Sequence, residues 1–278
     1  MKKTAILWIL AVVITLTAAI YQRMTGPTYP KHVSFEINGQ PYETKLMRSQ
    51  ETIEDCKMEI EIPDTSVSGT AFYRRFPTNE KFFEEQMIRR GNNLVFTLPK
   101  QPSAGKLEYY LQFQSKGNVI PLAQEQHVVI RYKDPVPTFV LAPHIFMMFF
   151  AMLLSNLAGL MALAGHPKYK FWGMTAFVLL CIGGGILGPI VQKFAFGEYW
   201  TGIPWGWDLT DNKTLIAILG WVVAVVLNLK KERPMWIVFA AVLLLLIYSI
   251  PHSLFGSQLN VHTGTIQQGF IQLVHFIK

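Results

Sequence analysis

Two histidines and one tryptophan-rich segment are the residues of this chain best suited to chemistry. His144 lies in the string Ala-Pro-His-Ile, His252 lies in Ile-Pro-His-Ser, and residues 199–208 between them read Tyr-Trp-Thr-Gly-Ile-Pro-Trp-Gly-Trp-Asp. Imidazole is a good ligand for haem iron, and an indole ring offers a flat apolar surface to a porphyrin. Two histidines above an aromatic shelf could therefore clamp a haem. The chain has no Cys-x-x-Cys-His string, so such a haem would be non-covalent and of the b type.

Five apolar segments must position these residues. Of the 278 residues, 51% are hydrophobic and 15% are charged, whereas a soluble domain usually has about 25% charged residues. No Asp, Glu, Lys or Arg occurs in residues 5–20, 139–163, 171–190, 215–229 and 235–250. A membrane helix needs about 20 mostly apolar residues, a length that each segment reaches alone or with its flanking Trp, Tyr, Thr and Ser residues. We predict five membrane crossings, with the lipid bilayer as the first partner of the chain.

The basic residues predict the orientation of these crossings. Many of them flank the apolar segments: Lys2, Lys3, Lys168, Lys170, Lys230, Lys231 and Arg233. Such short basic segments face the cytoplasm. In a bacterial-type inner (cytoplasmic) membrane the amino terminus is then inside, and residues 21–138 and the carboxyl terminus are outside. Both histidines and the tryptophan-rich segment fall at the outer boundary. Because the net charge of +7 is scattered rather than gathered in one patch, no nucleic-acid partner is predicted.

Residues 25–138 have the pattern of a β-rich domain. Apolar and charged residues alternate at residues 57–62, which read Lys-Met-Glu-Ile-Glu-Ile, and turn signals such as Asn38-Gly39 separate the runs. Six or seven short strands predict an extracytoplasmic β-sandwich of the immunoglobulin-like kind. His32 and His127 stand alone in sequence, with no catalytic pattern beside them. We therefore expect this domain to dock a protein partner or to support the bundle.

The whole chain is predicted to be an α+β membrane protein with four parts. Residues 1–24 form a membrane anchor or a cleaved signal peptide, residues 25–138 the β-sandwich, and residues 139–256 a four-helix transmembrane bundle. Residues 257–278 form a tail. One helical face of the tail carries five apolar residues, which predicts an outer interfacial amphipathic helix: Ile266, Phe270, Leu273, Val274 and Ile277.

The string Trp205-Gly206-Trp207-Asp208 carries a resemblance. Followed by a helix and a basic turn, it resembles the tryptophan-rich signature of the haem-handling cytochrome c biogenesis proteins of the CcsA and CcmC types. The likeness covers residues 143–256, and the string His-Ser-Leu-Phe-Gly at residues 252–256 is similar to the family's His-Ser-Tyr-Gly ending. After the signature, however, this chain reads Leu-Thr-Asp-Asn-Lys where the family has Pro-Lys-Glu-Thr-Trp or a similar string.

The resemblance implies a haem site in cytochrome biogenesis or membrane electron transfer. It implies that His144 and His252 ligate the iron while Trp205, Trp207 and Asp208 line the haem. Trp200, in the same segment, completes the predicted site. Asp208 is also placed to cap the helix that follows it.

Two other functions use the same face. His144, His252, Asp208 and Asp211 are ligand types that bind zinc, copper or iron, so the segment could hold a metal ion without porphyrin. Alternatively, tryptophans and tyrosines occur in interfacial belts without further function. The protein would then be a membrane accessory subunit of a redox or transport complex, with its β-domain docking a partner. No residue pattern identifies a substrate, and we make no prediction of enzymatic activity.

Overall fold

The structure is a computed structural model and describes residues 2–252, 254 and 256–267. The chain folds into two compact units, which are described separately. The first, here the helical unit, comprises Met1–Pro27 and Val136–Gly256. The second, here the β-unit, comprises Thr28–Pro135 and the described tail residues 257–267. The protein is therefore of mixed α and β structure, as the sequence predicts.

Six α-helices build the helical unit. They are α1 (Lys2–Thr25), α2 (Thr138–Leu163), α3 (Tyr169–Leu180), α4 (Gly188–Phe196), α5 (Leu209–Lys230) and α6 (Pro234–Ser249), and a π-helical segment, Cys181–Leu187, joins α3 to α4. Among the described residues, four helical spans are long and apolar enough to cross a membrane: α1, α2, the continuous span Tyr169–Phe196, and α5. The fifth predicted crossing, α6, is apolar but has only 16 residues.

Helix α1, which the sequence predicts to be a membrane anchor or a cleaved signal peptide, packs within the helical unit. Ala11, Thr15 and Ala18 are its buried residues. The Asn156 side-chain amide on α2 donates to the Thr15 hydroxyl at 3.0 Å. Near the start of α1, the ring of Trp8 meets that of Trp172 edge to face, with 5.1 Å between ring centroids. Helix α1 therefore packs against other helices of this unit.

The segments with basic residues come together at one end of this bundle. The Thr4 hydroxyl lies 3.3 Å from His166 Nε2, and Lys170 Nζ lies 3.1 Å from a Glu232 carboxylate oxygen. We call this the basic end. Residues 197–208, with the start of α5 and the end of α6, form the opposite end, which we call the loop end. Five helical spans that alternate in direction would place these basic segments at the same end, as observed.

Eleven strands form the main body of the β-unit. They are β1 (Lys31–Ile37), β2 (Gln40–Leu46), β3 (Ser49–Glu51), β4 (Cys56–Glu61), β5 (Ser68–Arg75), β6 (Phe83–Gln86), β7 (Ile88–Arg90), β8 (Asn93–Leu98), β9 (Lys106–Ser115), β10 (Asn118–Leu122) and β11 (Val128–Lys133). The six-stranded sheet has the order β3-β11-β9-β5-β6 with β10 also paired to β9, the three-stranded sheet has the order β4-β8-β7, and β1 pairs with β2. Among the described strands, only β3 and β11 pair in parallel.

One hydrophobic core joins these sheets. On β4, Cys56, Met58 and Ile60 are buried while the charged residues between them are exposed, as the alternation in the sequence predicts. Buried side chains from the six-stranded sheet, including Tyr109 and Ile130, belong to the same cluster. The β-unit thus has a core of its own.

The described part of the tail, residues 257–267, holds a hairpin and includes only the start of the predicted amphipathic helix. Two short strands, β12 (Gln258–Leu259) and β13 (Ile266–Gln267), pair as a hairpin. Asn260 organises the turn, because its side-chain oxygen accepts from two backbone N–H groups and Gly264 adopts a positive φ of 69°. The hairpin pairs with the β-unit, where the Leu259 N–H donates to the Ala104 carbonyl at 3.0 Å. Most of the predicted helical stripe lies outside the described residues: Phe270, Leu273, Val274 and Ile277.

Candidate functional site

The first turn of α5 begins on Asp208. Its carboxylate accepts from the backbone N–H groups of Thr210 at 2.8 Å and Asp211 at 3.4 Å, so Asp208 is the N-cap that the sequence predicts. Asp208 is 4% exposed. A buried carboxylate in this position satisfies N–H groups that no helical carbonyl can reach, and it lies favourably in the field of the helix dipole.

Asp211 braces the tryptophan-rich segment. One of its carboxylate oxygens accepts from the Thr201 N–H at 2.6 Å, from the Thr201 hydroxyl at 3.2 Å and from the Gln192 amide at 3.1 Å. The side-chain oxygen of the next residue, Asn212, accepts from the Ile203 N–H at 2.8 Å. Two consecutive residues of α5 therefore fix the path of the loop.

Two glycines allow this close approach. A methyl group at Gly202 would lie 2.6 Å from Asp211 Cβ, and one at Gly206 would overlap the backbone oxygen of Thr201. The indole N–H of Trp200 donates to the Ile203 carbonyl at 3.1 Å, which closes the turn. The loop is thus a built structure, with glycines where its own backbone leaves no room for a side chain.

The braced loop holds two tryptophans outward. Trp205 is 80% exposed and Trp207 is 66% exposed, whereas Trp200 is half-buried. Large exposed aromatic rings are expected where a surface meets a ligand, a partner or a membrane boundary. Of the three predicted tryptophans, two therefore offer contact area, and Trp200 mainly holds the loop together.

His144 lies on α2 against the π-helical segment. Its Nδ1 is 2.9 Å from the Gly183 carbonyl oxygen, which also accepts from the Gly188 N–H. Because a carbonyl can only accept, Nδ1 carries the proton and the lone pair is on Nε2. A ring nitrogen held in this way by a backbone carbonyl is the usual support of a metal-ligating histidine. Short π-helical turns also occur frequently at functional sites.

His252 is exposed and lines a small cavity at the loop end. The cavity has a volume of about 30 Å³, and Met148 and Thr214 also line it. The Met148 side chain would contact a methyl group added at Gly183 or Gly184, so it also approaches the π-helical segment. His144 near the start of α2, His252 after the end of α6 and the tryptophan-rich loop before α5 therefore lie at the same end of the bundle.

Lys213 is a residue of this region that sequence reasoning missed. It is 6% exposed, lines the same cavity, and donates from Nζ to the Ile250 carbonyl at 3.0 Å. The carboxylate of Asp208 attracts its charge. A signal was present in the sequence. Lys213 comes just before an apolar segment, at the predicted outer boundary, where few of the basic residues that flank the apolar segments lie.

The aspartates of the loop end do not form a metal centre. Asp211 accepts three hydrogen bonds from Thr201 and Gln192, and Asp208 accepts two from α5. Within residues 2–252, 254 and 256–267, no group of three or more His, Cys, Asp and Glu side chains could hold a metal ion.

In the β-unit, His127 is not isolated in space. The pairing of β9 and β11 brings it to buried Glu108, whose two carboxylate oxygens lie 2.8 Å from His127 Nδ1 and 2.6 Å from Arg74 Nε. The imidazole stacks on Tyr110, with 5.2 Å between ring centroids, and Phe82 meets it edge to face. This network ties strands together and lies in a different unit from the loop end.

Comparison of the chain with protein-family models and with curated proteins finds no match.

Proposed function

We propose that this protein is an integral membrane protein that binds haem at its loop end, for cytochrome biogenesis or membrane electron transfer. One observation carries the proposal. Two strongly exposed indoles are held outward by a buried carboxylate brace, at the same end of the bundle as His144 and His252. Buried charge used to fix an exposed apolar surface is typical of a binding site rather than of a helix cap alone.

The residues present fit a haem held on the surface of the loop. The Gly183 carbonyl leaves His144 with its lone pair on Nε2, as an axial ligand requires, and His252 would supply the second imidazole. Trp205 and Trp207 would provide apolar contact area. A porphyrin is far larger than the 30 Å³ cavity, so its ring would lie against the exposed indoles and not inside the bundle. When bound, haem supplies a redox-active iron.

The surroundings of the site follow from the same proposal. The basic end faces the cytoplasm and the loop end faces outward, in a bacterial-type inner membrane. The sheets of the β-unit, which share one core, support an immunoglobulin-like sandwich outside the membrane. This sandwich docks a protein partner that delivers or receives haem or electrons.

The absorption spectrum of detergent-purified protein, produced with ample haem, tests the proposal. We expect a Soret band. His144→Ala and His252→Ala should each shift the spectrum from six-coordinate low-spin toward five-coordinate haem. Trp205→Ala and Trp207→Ala should lower haem retention without changing the ligation of the remaining haem, because a ring supplies contact area and no bond.

Matched controls are available at the basic end. His166→Ala removes an imidazole and Trp236→Ala removes a partly exposed indole, both far from the loop. Neither change should alter the spectrum or the haem content. Absence of Soret absorption in folded wild-type protein would reject the haem proposal. If haem binds but both loop-end histidine variants keep the wild-type spectrum, the ligand assignment is wrong.

The second candidate is a membrane accessory subunit. The 80% exposure of Trp205 also fits an indole that anchors the loop at the membrane boundary without any cofactor. In that case the Trp205→Ala and Trp207→Ala variants would loosen the loop end in lipid, and a colourless wild-type protein would copurify with a partner bound to the β-unit.

A further inference from the structure

The basic end of the bundle carries a concentrated positive charge. Residues 2–4, 164–170 and 228–236 build it, and they contain seven basic residues and one acidic residue: Lys2, Lys3, Lys168, Lys170, Lys230, Lys231, Arg233 and Glu232. The side chains of all seven basic residues reach the surface, where that of Lys170 is 37% exposed. Among the described residues of this end, Lys170 and Glu232 form the only ion pair. Seven positive charges against one negative charge leave a strong attraction for an anion.

The turn between α5 and α6 holds three of these cations at the surface. The buried Asn228 side chain accepts from the Arg233 N–H at 2.9 Å and donates to the Arg233 carbonyl at 3.0 Å. The Tyr169 hydroxyl donates to the same Asn228 oxygen at 3.4 Å, which ties α3 to the turn. The backbone is thus fixed from inside, while Lys230, Lys231 and Arg233 are exposed. A cluster fixed in this way loses little backbone freedom when it binds a ligand.

Large apolar side chains lie directly beside these cations in the sequence. Three of them, at the basic ends of α3, α5 and α6, are 62% to 67% exposed: Phe171, Leu229 and Met235. A phospholipid presents an anionic phosphate and apolar acyl chains together, whereas a soluble anion or an acidic protein segment presents the charge without such chains. The alternation of exposed cations with exposed apolar residues therefore fits a lipid better than a free phosphate or an acidic protein.

We propose that the basic end binds the phosphate groups of anionic phospholipids, with Lys230, Lys231 and Arg233 as the principal contacts. Ammonium and guanidinium groups donate charge-assisted hydrogen bonds to phosphate oxygens. Each Lys or Arg near an anionic bilayer surface strengthens binding by about fivefold. The inference goes beyond the proposed haem function and does not depend on it, because haem is proposed for the opposite end of the bundle. It requires only that the long apolar helices lie in a membrane.

Native mass spectrometry of the full-length protein in a neutral detergent tests the inference by titration with three compounds. They are dioctanoyl phosphatidylglycerol, dioctanoyl phosphatidylcholine, which has the same chains but no net charge, and glycerophosphoglycerol, which has the anionic headgroup but no chains. Wild-type protein should bind phosphatidylglycerol at least about 10-fold more tightly than either of the others. Combined Lys230→Gln, Lys231→Gln and Arg233→Gln should weaken phosphatidylglycerol binding by about 10- to 100-fold and leave phosphatidylcholine binding unchanged.

The matched control removes three positive charges from the β-unit by combining Lys45→Gln, Lys81→Gln and Lys100→Gln, at exposed lysines. It lowers the net charge equally and should keep the wild-type preference. A further variant, Glu232→Gln, removes the acid that pairs with Lys170 and should strengthen phosphatidylglycerol binding about fivefold.

Three results would overturn the inference. They are equal binding of the two lipids by wild-type protein, equal losses in the two triple variants, and binding of glycerophosphoglycerol as tightly as of phosphatidylglycerol, which would assign the site to a free phosphate. Gel filtration of each variant comes first. Should the triple variant of the basic end fail to fold, Lys231→Gln alone replaces it, with an expected loss of about fivefold. Failure to bind haem would reject the function proposed for the loop end and would leave these outcomes unaffected.

Discussion

The two units both bury charged side chains, but they use them differently. In the β-unit, Glu108 is enclosed between Arg74 and His127, so the network ends on itself. In the helical unit, Asp208 and Asp211 hold a loop that presents exposed tryptophans. Burial of a charge is unfavourable in either place. In the β-unit the buried charges are neutralised within the core, whereas at the loop end they fix the position of an exposed surface. A surface fixed in this way is where a ligand is expected.

The buried lysines repeat the contrast. Lys106 of the β-unit donates to the Gln258 side chain at 3.1 Å and so fastens the tail hairpin to β9. Lys213 of the helical unit lines a cavity. Lys213 also makes a contact within the fold, to the Ile250 carbonyl at 3.0 Å, but its side chain borders a cavity as well.

The largest effect is expected from loss of the Asp211 carboxylate. Asp211→Ala leaves the half-buried Thr201 N–H and the Gln192 amide without their acceptor, and we expect it to lower the free energy of unfolding by about 3 kcal/mol. Asp211→Asn keeps a side-chain oxygen, so its loss should be smaller, about 1 kcal/mol. Reversible unfolding in detergent, followed by tryptophan fluorescence, measures both changes.

The matching change at the basic end is Glu232→Ala. This change breaks the ion pair with Lys170. Both side chains of the pair are exposed, and such pairs contribute about 0–1 kcal/mol to the free energy of unfolding. Equal effects of Asp211→Ala and Glu232→Ala would remove the contrast between the ends of the bundle, and the loop would then be an ordinary connection.

The elements themselves were predictable because their signals are local. The apolar segment 139–163 corresponds to α2 (Thr138–Leu163), and the alternating residues 57–62 correspond to β4 (Cys56–Glu61). Asp208 as N-cap also follows from the adjacent sequence. Helix periodicity, strand alternation and capping depend on residues a few positions apart, so the sequence displays them directly.

The contacts that define the sites were not predictable in the same way. Glu108 meets His127 only because β9 pairs with β11, and the register of that pairing is not written in either strand. Asp211 meets Thr201 across a ten-residue loop whose path depends on Gly202 and Gly206. The tail hairpin of residues 258–267 meets the β-unit through the Leu259 N–H and the Ala104 carbonyl, a contact between residues far apart in sequence.

The second prediction is a pH dependence that belongs to the β-unit. Burial, followed by the charge of Arg131, lowers the pKa of Lys106 from 10.5 to about 7. Above pH 7 the folded lysine is neutral while the unfolded chain still binds the proton, so stability rises with pH. Burial raises the pKa of the Cys56 thiol from 9.0 to about 11, and this opposes the lysine contribution, so stability levels off as the pH rises above 9.0.

Between pH 7 and pH 9 we expect the free energy of unfolding to increase by about 2 kcal/mol. This is somewhat less than the release of one full proton over the whole range would give. Unfolding of the full-length protein in detergent at pH 7 and at pH 9 measures it. Lys106→Met should remove most of the rise, whereas Lys100→Met, at an exposed lysine nearby in sequence, should leave it unchanged. A wild-type stability that is flat across this range would show that the Lys106 ammonium keeps its charge in the fold.

The smallest effect concerns a polar pair that serves neither end of the bundle. The Asn156 amide donates to the Thr15 hydroxyl at 3.0 Å, and both residues are buried between α2 and α1. Hydrogen bonds between membrane helices contribute on average about 0.6 kcal/mol. We expect Asn156→Leu and Thr15→Val to show a coupling energy of this size in a double-mutant cycle, measured by unfolding in detergent.

The control on the same helix is Thr25→Val, because the Thr25 hydroxyl donates only to the Tyr21 carbonyl within α1 and is exposed. It should not couple to Asn156→Leu. Since this pair supports packing alone, haem retention should be the same in all four proteins of the cycle, unlike in the Trp205→Ala variant. A coupling energy of zero would mean that α1 is not packed on α2 as described. Loss of haem in Asn156→Leu would instead mean that the loop end depends on the whole bundle, and that its brace is not local to α5.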